Sequence, residues 1–88
     1  MIRRRVILHG RVQGVGMRAA VAGAARRRGV AGWVRNTEDG TVEAVFEGEP
    51  DAVDALVRYC EYGSPGAGVL RVEAADEEPG GLSGFEIR

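Results

Sequence analysis

From Val12 the chain reads Val-Gln-Gly-Val-Gly-Met-Arg, ending at Arg18. Gly14 and Gly16 carry no Cβ atom, so the backbone can curl closely around a small anion there. The apolar spacing that follows predicts a helix. A helix N-terminus turns several unsatisfied N–H groups outward at the positive end of its dipole, which favours an anion. Gln13, Gly14, Val15, Gly16, Met17 and Arg18 are therefore the candidate phosphate cradle. Arg18 adds what a backbone lacks: a planar guanidinium that grips two phosphate oxygens and stays positive at any working pH. The same residues also suit a flexible connection followed by a surface arginine, and spacing alone leaves both readings open.

Other chemistries lack their residues. The loop has no Gly-Lys-Ser/Thr ending and lacks the full dinucleotide glycine spacing, which argues against a nucleotide site. Cys60 is the only thiol; it falls on an apolar helical stripe with no arginine-closed loop after it, so it reads as core rather than nucleophile. His9 has no second histidine or cysteine at ligand spacing and reads as a strand residue, so no metal site is expected.

The elements that would hold the cradle follow from periodicity. Arg4 to His9 reads as a strand halted by Gly10, and Met17, Ala20, Val21, Ala24 and Ala25 recur on one face of a helix running to Arg28 and stopped by Gly29. Arg26, Arg27 and Arg28 suit the negative end of that helix. Gly32–Asn36 and Thr41–Glu47 read as strands joined by the Thr37–Gly40 hairpin. Pro50 opens a second helix carrying Val53, Leu56, Val57 and Cys60 and ending at Gly63. After a Ser64-Pro65-Gly66 break, Gly68–Glu73 forms a fourth strand, a polar Glu77–Gly81 turn follows, and Phe85–Ile87 a short last strand. The order βαββαβ with a β tail predicts an α+β ferredoxin-like sandwich, an antiparallel sheet with two helices on one face. Residues 1–88 read as a single domain, with Trp33 and Phe46 in the core or at its edge, and Arg3, Arg4 and Arg5 at a solvated terminus.

Composition bounds the partners. A domain of 88 residues buries about 60% of its unfolded surface, enough for one modest core. No apolar stretch approaches the ~20 residues of a membrane span and no secretory pattern is present, so a cytoplasmic protein is expected, which a lone cysteine also suits. Residues 1–35 hold nine arginines and no acid, while residues 36–88 hold three arginines and all thirteen acids, a split hidden inside a net charge of -1. The basic third would steer an anion toward its own site, and the acids elsewhere argue against a nucleic-acid surface. An RNA-binding sandwich would also need stacking aromatics on its first and third strands, and only Phe46 is there.

Gly10-Arg11-Val12-Gln13-Gly14-Val15-Gly16-Met17-Arg18, with Gly32-Trp33-Val34-Arg35-Asn36 and Asp39-Gly40-Thr41-Val42-Glu43, closely resembles the acylphosphatase signature. Gly63-Ser64-Pro65, Ala67, Val69 and Gly84-Phe85-Glu86-Ile87 resemble the family's later landmarks. The resemblance implies a ferredoxin-like enzyme hydrolysing carboxyl-phosphate bonds without metal or cofactor. Its partner would be a small-molecule acyl phosphate, and a monomer is the simple expectation. By position it makes Arg18 the phosphate-binding arginine and Asn36 the residue that orients the attacking water. Without the resemblance, Asn36 would read as a hairpin-shaping residue. Gly16 and Met17 stand where the family often has bulkier residues, commonly phenylalanine before the arginine; Met17 can fill the same core space. The competing reading is a non-catalytic anion-binding module.

Overall fold

The computed structural model describes residues 1–62 and 68–88. Its elements are β1 (Ile2–Arg11), α1 (Met17–Arg27), β2 (Ala31–Asn36), β3 (Val42–Gly48), α2 (Pro50–Tyr62), β4 (Gly68–Glu77) and β5 (Phe85–Ile87). The expected Ser64-Pro65-Gly66 break and the Gly63-Ser64-Pro65 landmark lie outside the described residues.

The strands form one sheet in the order β4-β1-β3-β2-β5. The first four pair antiparallel, with Val6 opposite Ala44 and Val34 also opposite Ala44 on its other side. The short tail departs from that pattern: β5 runs parallel to β2, pairing Gly32 with Phe85 and Val34 with Ile87, so the sheet is mixed. This is the expected ferredoxin-like sandwich with one parallel edge added.

One face of the sheet carries Val6, Leu8, Val34, Val42, Ala44, Phe46 and Phe85, and the helices meet it with Met17, Val21, Ala24, Ala25, Val53, Leu56 and Cys60, all buried. Period-2 strands and period-3.6 helices align these stripes, and each fully covered large side chain stabilises by about 1.5–3 kcal/mol. Cys60 sits in this core as expected, and burial pushes its thiol pKa up to about 12. Met17 is 1% exposed and fills the core beneath the loop.

The opposite face is closed by arginines. Arg3 bonds Glu47 at 2.9 Å, Arg5 bonds Glu77 at 2.7 Å and also Glu43, and Arg35 meets Glu43 at 2.7 Å from the other side. Arg4, whose Cα register places it on the helix side, bonds Asp54 of α2 and reaches Asp76 at 3.1 Å. One expectation changes here. Arg3, Arg4 and Arg5 are strand residues in ion pairs rather than a solvated terminus, because β1 continues back to Ile2 between two acid-bearing neighbours. Every residue of β3 is buried, since arginine stems cover the side that the helices do not. Trp33 also lies outside the helix-covered core, between the guanidinium groups of Arg5, Arg35 and Arg88 at 5.8, 5.7 and 4.8 Å from its ring.

Two smaller boundaries shift. β4 extends to Glu77 because β1 pairs along its whole length, which leaves the expected turn to start one residue later. α1 ends at Arg27 in a Schellman-type closure: Val30 N–H donates to Ala25 O at 2.9 Å and Gly29 N–H to Arg26 O at 3.3 Å.

Candidate active site

The turn from β1 into α1 is left open to solvent by its own chemistry. Gly16 caps the helix in the left-handed conformation, φ 77°, and provides no side-chain acceptor. The first turn of α1 contains no acid, and the first helical bond runs from Ala20 N–H to Gly16 O at 3.0 Å. Among the described residues no acceptor is bonded to the N–H groups of residues 14 to 19. Such a helix start favours an anion through its dipole and its outward amides together.

A cleft of about 280 Å³ lies over this turn, lined by Val12, Gly14, Gly16, Met17, Arg18, Ala19, Asn36 and Ile87. Four of the expected cradle residues, Gly14, Gly16, Met17 and Arg18, line it, and Asn36 joins them from the end of β2. Gln13 and Val15 do not. Val15 packs against the core instead. Gln13 turns its side chain away, donating through Nε2 to Thr37 O at 2.8 Å and Thr41 O at 2.9 Å. It clips the loop to the hairpin that begins right after Asn36.

That hairpin is held from inside as well. Asp39 accepts from the hydroxyls of Thr37 and Thr41 and from the Thr41 N–H at 3.1 Å. These bonds to the ionised form hold its carboxyl down at about 2. The result is a braced connection between cradle and Asn36.

Arg18 is exposed, and its one bond among the described residues is to the main-chain oxygen of Arg88, at 3.3 Å. No side-chain carboxylate among those residues meets it, in contrast with Arg3, Arg4, Arg5 and Arg35. The Asn36 side chain makes no hydrogen bond among the described residues. Both groups therefore retain their hydrogen-bonding capacity for a ligand. The expected basic third is partly neutralised, because the sheet sets acids of the later chain against Arg3, Arg4, Arg5 and Arg35, while Arg18 keeps its charge for the cleft. Among the described residues no group of three or more His, Cys, Asp or Glu side chains is arranged to hold a metal ion. No helix among the described residues is long and apolar enough to cross a membrane.

Sequence reasoning missed Ala19 and Ile87 as lining residues and Gln13 as a clip. Nothing in the spacing marks Ile87, because its place depends on the parallel pairing of β5 with β2. The polar type of Gln13 was a usable signal, since a side chain with two donors beside a hairpin has carbonyls within reach.

Comparison with known proteins points the same way. The acylphosphatase family model matches residues 4–87. An acylphosphatase of Synechococcus sp. (strain JA-2-3B'a(2-13)) is 55% identical over 87 residues, covering 99% of this chain and 93% of that relative. One from Thermococcus kodakarensis is 52% identical over 86 residues, covering 98% and 94%. Among solved structures, the acylphosphatase of Bacillus subtilis superposes with a TM-score of 0.96 at 38% identity, covering 100% of this chain and 99% of that one. With its sequence and its fold matched from end to end, the chain belongs to the acylphosphatase family.

Proposed function

We propose that the acylphosphatase activity of this protein is carried by the cleft at the start of α1, with Arg18 and the loop amides holding the phosphoryl group and Asn36 placing the water. The protein hydrolyses the carboxyl-phosphate bond of acyl phosphates, giving a carboxylate and inorganic phosphate. The observation that carries the site assignment is a cationic, acid-free helix start with Arg18 and Asn36 lining one cleft.

The leaving group explains why so few residues suffice. A carboxylate's conjugate acid has a pKa of about 4, so it departs at neutral pH without a general acid. The remaining tasks are to hold the phosphoryl group, spread its developing charge and set a water in line. The Gly14 to Arg18 amides and the Arg18 fork do the first two. Asn36 fixes the water on the far side of phosphorus. As the water oxygen bonds to phosphorus, the bond to the acyl oxygen breaks, its electron pair leaves with the carboxylate, and a phosphate oxygen takes the water proton. Neither a metal nor a covalent intermediate is required. The protein works as one monomeric domain in the cytoplasm, a location that the single buried thiol suits.

The test is benzoyl phosphate hydrolysis with a chelator present, by the wild type, Arg18→Ala and Asn36→Ala. Rapid wild-type turnover lost in both folded variants supports the pair. Arg18→Ala should weaken inhibition by inorganic phosphate, whereas Asn36→Ala should chiefly lower kcat; a large loss of phosphate affinity in Asn36→Ala would contradict its role. Phosphate binding with negligible wild-type turnover would point instead to an anion-binding module.

A further inference from the structure

We propose that Ile87 is the platform for the acyl half of the substrate, so that the site favours acyl phosphates bearing an apolar acyl group. The proposal rests on the phosphoryl site assigned above.

Residues alternate along β5, so Phe85 and Ile87 project from the same face of the sheet. Phe85 is 6% exposed and stacks on Phe46 inside the core, with ring centroids 5.9 Å apart. Ile87 lines the cleft and remains 46% exposed. The other large apolar side chains of the cleft, Val12 and Met17, are each 1% exposed and already covered by the core. Ile87 is thus the one that leaves a large apolar surface for a ligand to cover.

A lone exposed isoleucine is ordinary on a protein surface. Its position gives this one meaning. Arg18 bonds the main-chain oxygen of Arg88, so the cation that holds phosphate is tied to the residue next to Ile87. A phosphoryl group seated on the loop amides must direct its acyl group out along the cleft wall, and Ala19 and Ile87 form the wall not committed to phosphate or water. The two polar side chains that line the cleft, Arg18 and Asn36, are both engaged in the proposed reaction. A charged acyl group finds no partner, and an apolar one buries area against Ile87.

The experiment compares kcat and KM for benzoyl phosphate and acetyl phosphate in the wild type, Ile87→Ala, Ile87→Leu and Arg18→Ala. Ile87→Ala should raise KM for benzoyl phosphate by about tenfold, as expected for losing one apolar contact in a binding pocket, and change it by less than about twofold for acetyl phosphate. Ile87→Leu should restore the difference. Should Ile87→Ala fail to fold, wild-type inhibition decides: benzylphosphonate should bind about tenfold tighter than methylphosphonate. Equal effects on both substrates, or equal inhibition by both phosphonates, would overturn the proposal alone while hydrolysis still depends on Arg18. Hydrolysis that survives Arg18→Ala, or a wild type that hydrolyses neither substrate, would overturn the underlying site assignment and the platform with it.

Discussion

Helices α1 and α2 each follow one of two adjacent inner strands, β1 and β3, and both open with the same bond at 3.0 Å, Ala20 N–H to Gly16 O and Val53 N–H to Glu49 O. Their first turns differ in every group that matters to an anion. In α1 the successive residues are Gly16, Met17 and Arg18, with no acid. In α2 they are Glu49, Pro50 and Asp51. Proline removes one outward N–H, and Asp51 sets a carboxylate at the positive end of the dipole, where α1 has a guanidinium. One helix start carries its own countercharge, and the other carries none. Two equivalent places in the fold thus differ by three residues each, and under the proposed site that difference separates structural from functional use.

Removing the cation should break the contrast most severely. Arg18→Ala should lower kcat/KM by at least about 100- to 1,000-fold, the usual effect of losing one preorganised donor, and Arg18→Lys should be nearly as harmful because a point charge cannot replace the fork. Giving α1 the charge of α2 comes next. Ala19→Asp places a carboxylate in the exposed first turn, so phosphate inhibition should weaken by at least about tenfold while the helix gains about 0.3–1 kcal/mol; a Tm that holds or rises with impaired inhibition is the expected pair of results. Releasing the clip is milder. Gln13→Ala should cost about 1 kcal/mol in chemical denaturation and lower kcat more than it alters phosphate inhibition, because it frees the hairpin after Asn36 without touching the cradle. The smallest effect belongs to the control helix: Asp51→Ala should reduce stability by about 0.3–1 kcal/mol and leave hydrolysis unchanged, and a fall in activity there would weaken the contrast.

Much of this was legible in the sequence, and what was hidden shares a cause. Period-3.6 and period-2 patterns placed both helices and most strands, since local burial preferences dominate there. Gly14, Gly16 and Arg18 suggested a cradle because their types limit what a backbone or a guanidinium can do, and the structure lines one cleft with all three. Asn36 entered only through resemblance; its type suits a hairpin equally well, and its place in the cleft depends on the pairing of β2 with β3. Long-range pairing also hid the rest. The arginines of β1 read as a steering charge until Glu43, Glu47 and Glu77 were brought against them. Trp33 read as core or its edge with nothing to say that arginines would flank its ring, and the parallel seat of β5 that puts Ile87 in the cleft has no local signature.

The uncapped start of α1 ties occupancy to the equilibrium between folded and unfolded chains. Phosphate that binds only the native protein completes the helix from outside, contributing about 2.7 kcal/mol when present at 100 times its dissociation constant. The apparent melting temperature should therefore climb with phosphate concentration in the wild type and hardly move in Arg18→Ala. With phosphate seated at the proposed site, the gap in the helix would make resistance to unfolding depend on the reaction's own product.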